Sequence, residues 1–121
     1  MHVQSWLDAP IDNKLFVRYE DMKLSPFSTF SKMAKFLELP YDESSIKKAI
    51  GNSEIKQLQA QEEVNVFKEK SNKADSFFRK GIVGDWQERL TQSQVNHIIN
   101  DHGRLMKQFG YLDDDKNHIY Q

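Results

Sequence analysis

Apolar residues recur along this chain in short helical stripes separated by turn chemistry. Phe27, Phe30, Met33, Ala34 and Leu37 fall at three- and four-residue spacing behind Ser25-Pro26, an N-cap residue followed by proline at the first helical position. They predict a helix with one apolar face, ended by Leu39-Pro40. Asp42 is placed to cap a shorter second helix carrying Ile46, Ala49 and Ile50, with Gly51 as its stop. Ser53 is placed to cap a third, with Ile55 and Leu58 on one side. Further on, Thr91-Gln92-Ser93-Gln94 has the form of a capping box. Val95, Ile98, Ile99, Leu105, Met106 and Phe109 then make the clearest amphipathic face in the chain, and Gly110 stops it.

Other segments depart from that period. Leu15-Phe16-Val17-Arg18-Tyr19 is a short apolar, β-branched and aromatic run bounded by Asp12-Asn13 and Glu20-Asp21. It predicts one strand at about 14–19, of the kind buried in a parallel sheet. No partner strand reads anywhere else, which predicts that its neighbours come from outside these 121 residues. Trp6-Leu7 ahead of Asp8-Ala9-Pro10 predicts a helix end, since proline cannot continue a helix. From 59 to 75 the chain turns polar and charged, interrupted only by Val64, Val66 and Phe67, and predicts a surface loop.

Composition narrows the function classes. A formal charge of −1 with 29% charged residues sets up no global field toward nucleic acid or a membrane, so any anion binding is local. The absence of cysteine removes disulfides and thiolate metal sites and suits a reducing compartment. His97 and His102 are off the i, i+4 spacing of shared metal ligands, and Asp113-Asp114-Asp115 lacks the glycine and glutamate of a calcium loop. No metal is expected. Met1-His2-Val3-Gln4 lacks the basic start and apolar run of a signal peptide, so a cytoplasmic protein is expected.

The chemistry concentrates in Phe77-Phe78-Arg79-Lys80-Gly81-Ile82-Val83-Gly84-Asp85-Trp86. Arg79 offers a planar fork for two phosphate oxygens, and Lys80 adds a mobile point charge. Gly81 lets a backbone N–H approach an anion because no Cβ stands in the way. Together they suit a terminal phosphate. Read whole, Arg79-Lys80-Gly81-x-x-Gly84-Asp85-Trp86 resembles the signature near the C-terminus of sulfotransferases that use 3′-phosphoadenosine 5′-phosphosulfate (PAPS). Arg18-Tyr19-Glu20-Asp21-Met22 is similar to that family's Tyr-Glu-Asp strand end, and Phe109-Gly110-Tyr111-Leu112 to its closing segment. The resemblance runs from about Trp6 to Leu112 in the family's order.

The resemblance implies an α/β fold: the C-terminal part of a P-loop-like, three-layer sulfotransferase fold, here mostly helical with one short strand. Residues 1–112 would belong to a single domain and 113–121 would be a polar tail. Arg79, Lys80 and Gly81 would hold the 3′-phosphate. Ser53 would lie at the adenine, Ile55 would stand where the family usually has an aromatic ring, and Tyr19 would join the cofactor site. PAPS is the implied co-substrate, a hydroxyl or amine compound the implied acceptor. The family's Lys-Ser-Gly-Thr phosphate loop, its catalytic His, and the Arg and Ser that complete the 3′-phosphate site have no counterpart here. No residue is therefore assigned as catalytic, and the chain by itself is expected to be inactive. The family's dimer segment Lys-Thr-x-x-Thr-Val-x-x-x-Glu falls on 87–96, which keeps Thr91 but has Gln87, Gln92 and Asn96 in place of Lys, Val and Glu; that mode of dimerisation is not expected.

Plainer roles stand beside these. Ser53 and Ile55 also suit a helix cap and a core position, Asp85 a turn residue, and Trp86 a structural anchor. For the whole chain the alternative is a non-catalytic helical module that docks on a partner, with Arg79-Lys80 a basic surface pair. Nucleic-acid binding is not expected, because the rest of the chain is not basic.

Overall fold

The structure, a computed structural model, describes residues 2–65 and 80–115. Six α-helices form among them: α1 (His2–Asp8), α2 (Tyr19–Leu24), α3 (Pro26–Phe36), α4 (Glu43–Asn52), α5 (Ile55–Val64) and α6 (Gln92–Gln108), with a 3₁₀ turn at Asp85–Glu88. The chain divides into two compact units, one built on residues up to Glu20 and from Gly84 onward, the other on Asp21–Val83.

No strand forms among the described residues, so the strand expected at 14–19 is corrected. Residues 14–18 carry no regular secondary structure, and Tyr19 opens α2, a helix that the apolar run concealed. A parallel strand needs neighbours for its N–H and C=O groups, and none stands beside this segment among the described residues. Its side chains attach it to the first unit instead. Lys14 Nζ donates to the carbonyls of Trp6 (3.0 Å), Leu7 (2.7 Å) and Ala9 (2.9 Å). Carbonyls at the end of a helix lack intrahelical partners and carry the negative end of its dipole, so an ammonium with three protons suits them. Phe16 packs on Phe109 with ring centroids 5.5 Å apart.

The long helix of this unit begins and ends on local chemistry. Thr91 Oγ1 accepts from Gln94 N–H at 3.3 Å, and Gln94 Oε1 accepts from Thr91 N–H at 2.9 Å. This reciprocal box satisfies two otherwise orphaned donors. Val95 and Leu105 bury one face of α6, and Leu112 is 3% exposed, with its Cδ1 beside Gly103. The helix closes with Gly110 at φ +76°, while Tyr111 N–H donates to Met106 O at 2.7 Å and Gly110 N–H to Lys107 O at 3.0 Å. These two bonds make a Schellman closure.

In the second unit α3 packs on α4, and Thr29 and Ile46 are buried. Ser25 takes the N-cap position ahead of Pro26, but its side chain makes no capping bond. The turn before α3 is held by Asp21 O, which accepts from Ser25 N–H at 3.0 Å and from the buried Thr29 hydroxyl at 2.9 Å. Helix α3 ends at Phe36, ahead of Leu39-Pro40, because Glu38 takes a left-handed conformation (φ +55°). Leu39 N–H then donates to Ala34 O (3.0 Å) and Glu38 N–H to Lys35 O (3.1 Å), the closure seen at Gly110 but with glutamate at its pivot. Helix α4 starts on a second capping box, in which Asp42 Oδ1 accepts from Ser45 N–H at 2.7 Å and Ser45 Oγ from Asp42 N–H at 3.0 Å. It continues through Gly51, the expected stop, to Asn52. Helix α5 takes up residues 59–64 of the stretch expected to be a loop and Asn65 is its C-cap; residues 66–75 of that stretch lie outside the described residues.

Candidate functional site

Six residues were singled out from the sequence as a nucleotide site. Arg79 lies outside the described residues. Lys80, Gly81, Ser53 and Ile55 belong to the unit Asp21–Val83, and Tyr19 to the other.

Gly81 has φ +60°, a conformation that a side chain strongly disfavours. A Cβ built on it would lie 3.3 Å from Cγ1 and Cδ1 of Ile55 and 3.4 Å from its Cβ. Glycine is therefore favoured twice here, by the backbone angle and by the close approach of Ile55. Ile55 is the first residue of α5 and half-buried. The structure thus brings together one residue of the basic string and one residue far upstream. Lys80, next to Gly81, is exposed. An ammonium beside a glycine backbone can receive an anion without a Cβ in the way.

Ser53 serves a different helix end from the one expected. It is the C-cap of α4, where its N–H donates to Ala49 O and Ile50 O, both at 3.1 Å, and its hydroxyl donates to Ile50 O at 3.0 Å. Glu54, with extended backbone, takes the N-cap position of α5. Only Ser53 and Glu54 separate the two helices, so a serine expected to start the second instead ends the first. Its hydroxyl oxygen keeps acceptor capacity for another donor. Tyr19 opens α2 and is 41% exposed.

Gly84 has φ +81° and precedes the 3₁₀ turn that holds Asp85 and Trp86. Trp86 O accepts from Leu90 N–H at 2.8 Å, and Gly84 O from Gln87 N–H at 3.1 Å. Asp85 and Trp86 are the first two residues of this turn. No group of three or more His, Cys, Asp or Glu able to hold a metal ion occurs among the described residues.

One cluster escaped the sequence reading. Arg18 Nη1 donates to Phe109 O at 3.1 Å, and its guanidinium carbon stands 5.6 Å from the Tyr111 ring centroid. Tyr111 Oη donates to Glu20 Oε2 at 2.7 Å. Each stretch is recognisable in the sequence on its own, but nothing local in either says that they meet.

Residues 1–110 match the sulfotransferase domain family. Over 112 residues the chain is 31% identical to sulfotransferase 1 family member D1 of Rattus norvegicus, covering 88% of this chain and 38% of that protein. Over 91 residues it is 36% identical to cytosolic sulfotransferase 10 of Arabidopsis thaliana, covering 69% of this chain and 27% of that protein. Its backbone is similar to that of mouse sulfotransferase SULT7A1 complexed with PAP, with a TM-score of 0.67 and 26% identity over 89% of this chain and 44% of that one. The likeness assigns the chain to the α/β sulfotransferase fold, of which the described residues supply helices. The chain spans less than two-fifths of the length of these curated relatives.

Proposed function

This chain belongs to the sulfotransferase family, and on that premise we propose that it supplies the part of a PAPS-dependent sulfotransferase that holds the 3′-phosphate and adenine of the nucleotide. Arg79, Lys80 and the Gly81 backbone take the phosphate, and Ser53 and Ile55 lie on the adenine side; the cofactor role of Tyr19 rests on the family resemblance alone. The observation that carries the reading is the contact between Gly81 and Ile55, which joins a phosphate-string residue to an adenine-side residue within one compact unit. The complex of the mouse relative with PAP supports the same ligand class.

In the reaction, an acceptor oxygen or nitrogen forms a bond to sulfur while the bond from sulfur to the 5′-phosphate oxygen breaks. The acceptor loses its proton, and adenosine 3′,5′-bisphosphate leaves. A clamp on the 3′-phosphate does not touch sulfur. It lets remote binding hold the 5′ end in line with the acceptor, where the transition state benefits. Residues 1–112 form part of one domain of this kind, with a hydroxyl or amine compound as acceptor. No residue of the chain is assigned to act on sulfur, so the 121 residues alone are expected to show negligible turnover. A cytoplasmic location fits relatives named as cytosolic sulfotransferases. Among the described residues no helix is long and apolar enough to cross a membrane.

A second reading, a non-catalytic module docking on a partner, draws on the exposure of Trp6, Leu24, Phe27, Leu37 and Leu39, each at least 44% exposed. One titration separates the two. The full chain should bind adenosine 3′,5′-bisphosphate at least about tenfold more tightly than adenosine 5′-monophosphate, and Arg79→Ala should abolish the preference. Equal binding of both nucleotides, or of neither, overturns the nucleotide reading.

A further inference from the structure

Resting on that reading, we propose that Ile55 is a positioning residue of the phosphate clamp: its side chain backs Gly81 and so sets the backbone that meets the 3′-phosphate. Gly81 sits at φ +60°. Glycine reaches that angle easily but has no Cβ to restrict it to that angle, so a constraint has to come from a neighbour. Ile55 supplies one. Three of its side-chain atoms, Cβ, Cγ1 and Cδ1, line the side of Gly81 where a Cβ would project, at 3.3–3.4 Å from that point. As a β-branched residue it is stiff about χ1, and it stands in the first turn of α5, a regular element. Lys80 and Gly81 carry no regular secondary structure, so the stiffness resides on the helix side of the contact. An anion held by a backbone N–H and an adjacent cation depends on how well both are preorganised. Ile55 thereby acts on the phosphate through Gly81, in addition to any contact with the base.

The two roles are separable because a base contact serves every adenine nucleotide, whereas support of Gly81 serves only one bearing the 3′-phosphate. The experiment titrates the full chain, Ile55→Val and Ile55→Ala with adenosine 3′,5′-bisphosphate and adenosine 5′-monophosphate. Valine removes Cδ1 and keeps the branched Cβ; alanine leaves only Cβ. The preference for the bisphosphate should fall about threefold in the valine variant and about tenfold in the alanine variant, with monophosphate affinity changed less. Thermal melts confirm that each variant is folded, and the valine variant, the milder change, decides the matter if alanine unfolds the chain. Equal weakening toward both nucleotides, or an unchanged preference, overturns the positioning role while leaving the nucleotide reading intact. A parent chain with no preference overturns the nucleotide reading itself, and this inference with it.

Discussion

The phenol of Tyr111 donates a 2.7 Å hydrogen bond to the carboxylate of Glu20, joining the segment after α6 to the start of α2. Arg18 stands over the same phenol ring and donates to the carbonyl of Phe109, so three side chains and one carbonyl lock two distant stretches together. Bonds to a charged acceptor are stronger than neutral ones, and this one is part-buried. Tyr111→Phe is expected to cost about 1–2 kcal/mol in urea unfolding. A double-mutant cycle with Glu20→Gln should show a coupling of about 1 kcal/mol. Additive effects would mean that the bond contributes nothing in solution.

Glycine and glutamate occupy equivalent pivots at two helix ends, and substitutions there should have opposite signs. Gly110 has φ +76°, and a Cβ on it would lie 3.2 Å from Arg18 Nη1. Gly110→Ala should therefore destabilise by about 1–2 kcal/mol, adding left-handed strain to a disturbed Arg18 contact. Glu38 already holds a left-handed conformation, at φ +55°. Glu38→Gly relieves that strain against a smaller gain in unfolded-chain entropy, and a net stabilisation of up to about 1 kcal/mol is expected. Thermal melts of both variants test the pair; a fall in Tm for Glu38→Gly would contradict the assignment.

Asp42 gives the chain a pH dependence of known sign. The Ser45 backbone N–H, and then the Ser45 side chain, hold its carboxyl below the ordinary aspartate value. A lowered folded-state pKa favours the folded chain while the group is ionised. The contribution is complete above the unfolded value, about 3.9, and is lost as the pH falls through the lower folded value. Asp42→Asn keeps an acceptor for the cap but cannot titrate. The Tm advantage of the parent over this variant should hold at about pH 6 and shrink as the pH falls below about 4. An advantage that does not change with pH would show that the cap is insensitive to charge.

Features whose partners lie within one turn could be read along the chain. Thr91 and Gln94 cap α6 because each reaches the other's backbone three residues away, and Gly110 closes it because a left-handed pivot suits glycine. The phosphate clamp proposed for Arg79, Lys80 and Gly81 rests on the same kind of reasoning, since its residues are adjacent in one string. Ser53 shows the limit of that logic, since between two nearly abutting helices a serine suits either end. The run 14–19 shows another: its residues favour a strand, but a strand exists only where neighbours complete its hydrogen bonds.

Residue types and short spacings were enough to determine the capping box that starts α6 and the glycine that closes it, because hydrogen bonds across three or four residues form wherever the local chain turns. The pairing of Tyr111 with Glu20 and the seating of Ile55 against Gly81 depended on how the chain closes over long separations. Such closure is settled by burial and chain connectivity together, which no local pattern encodes.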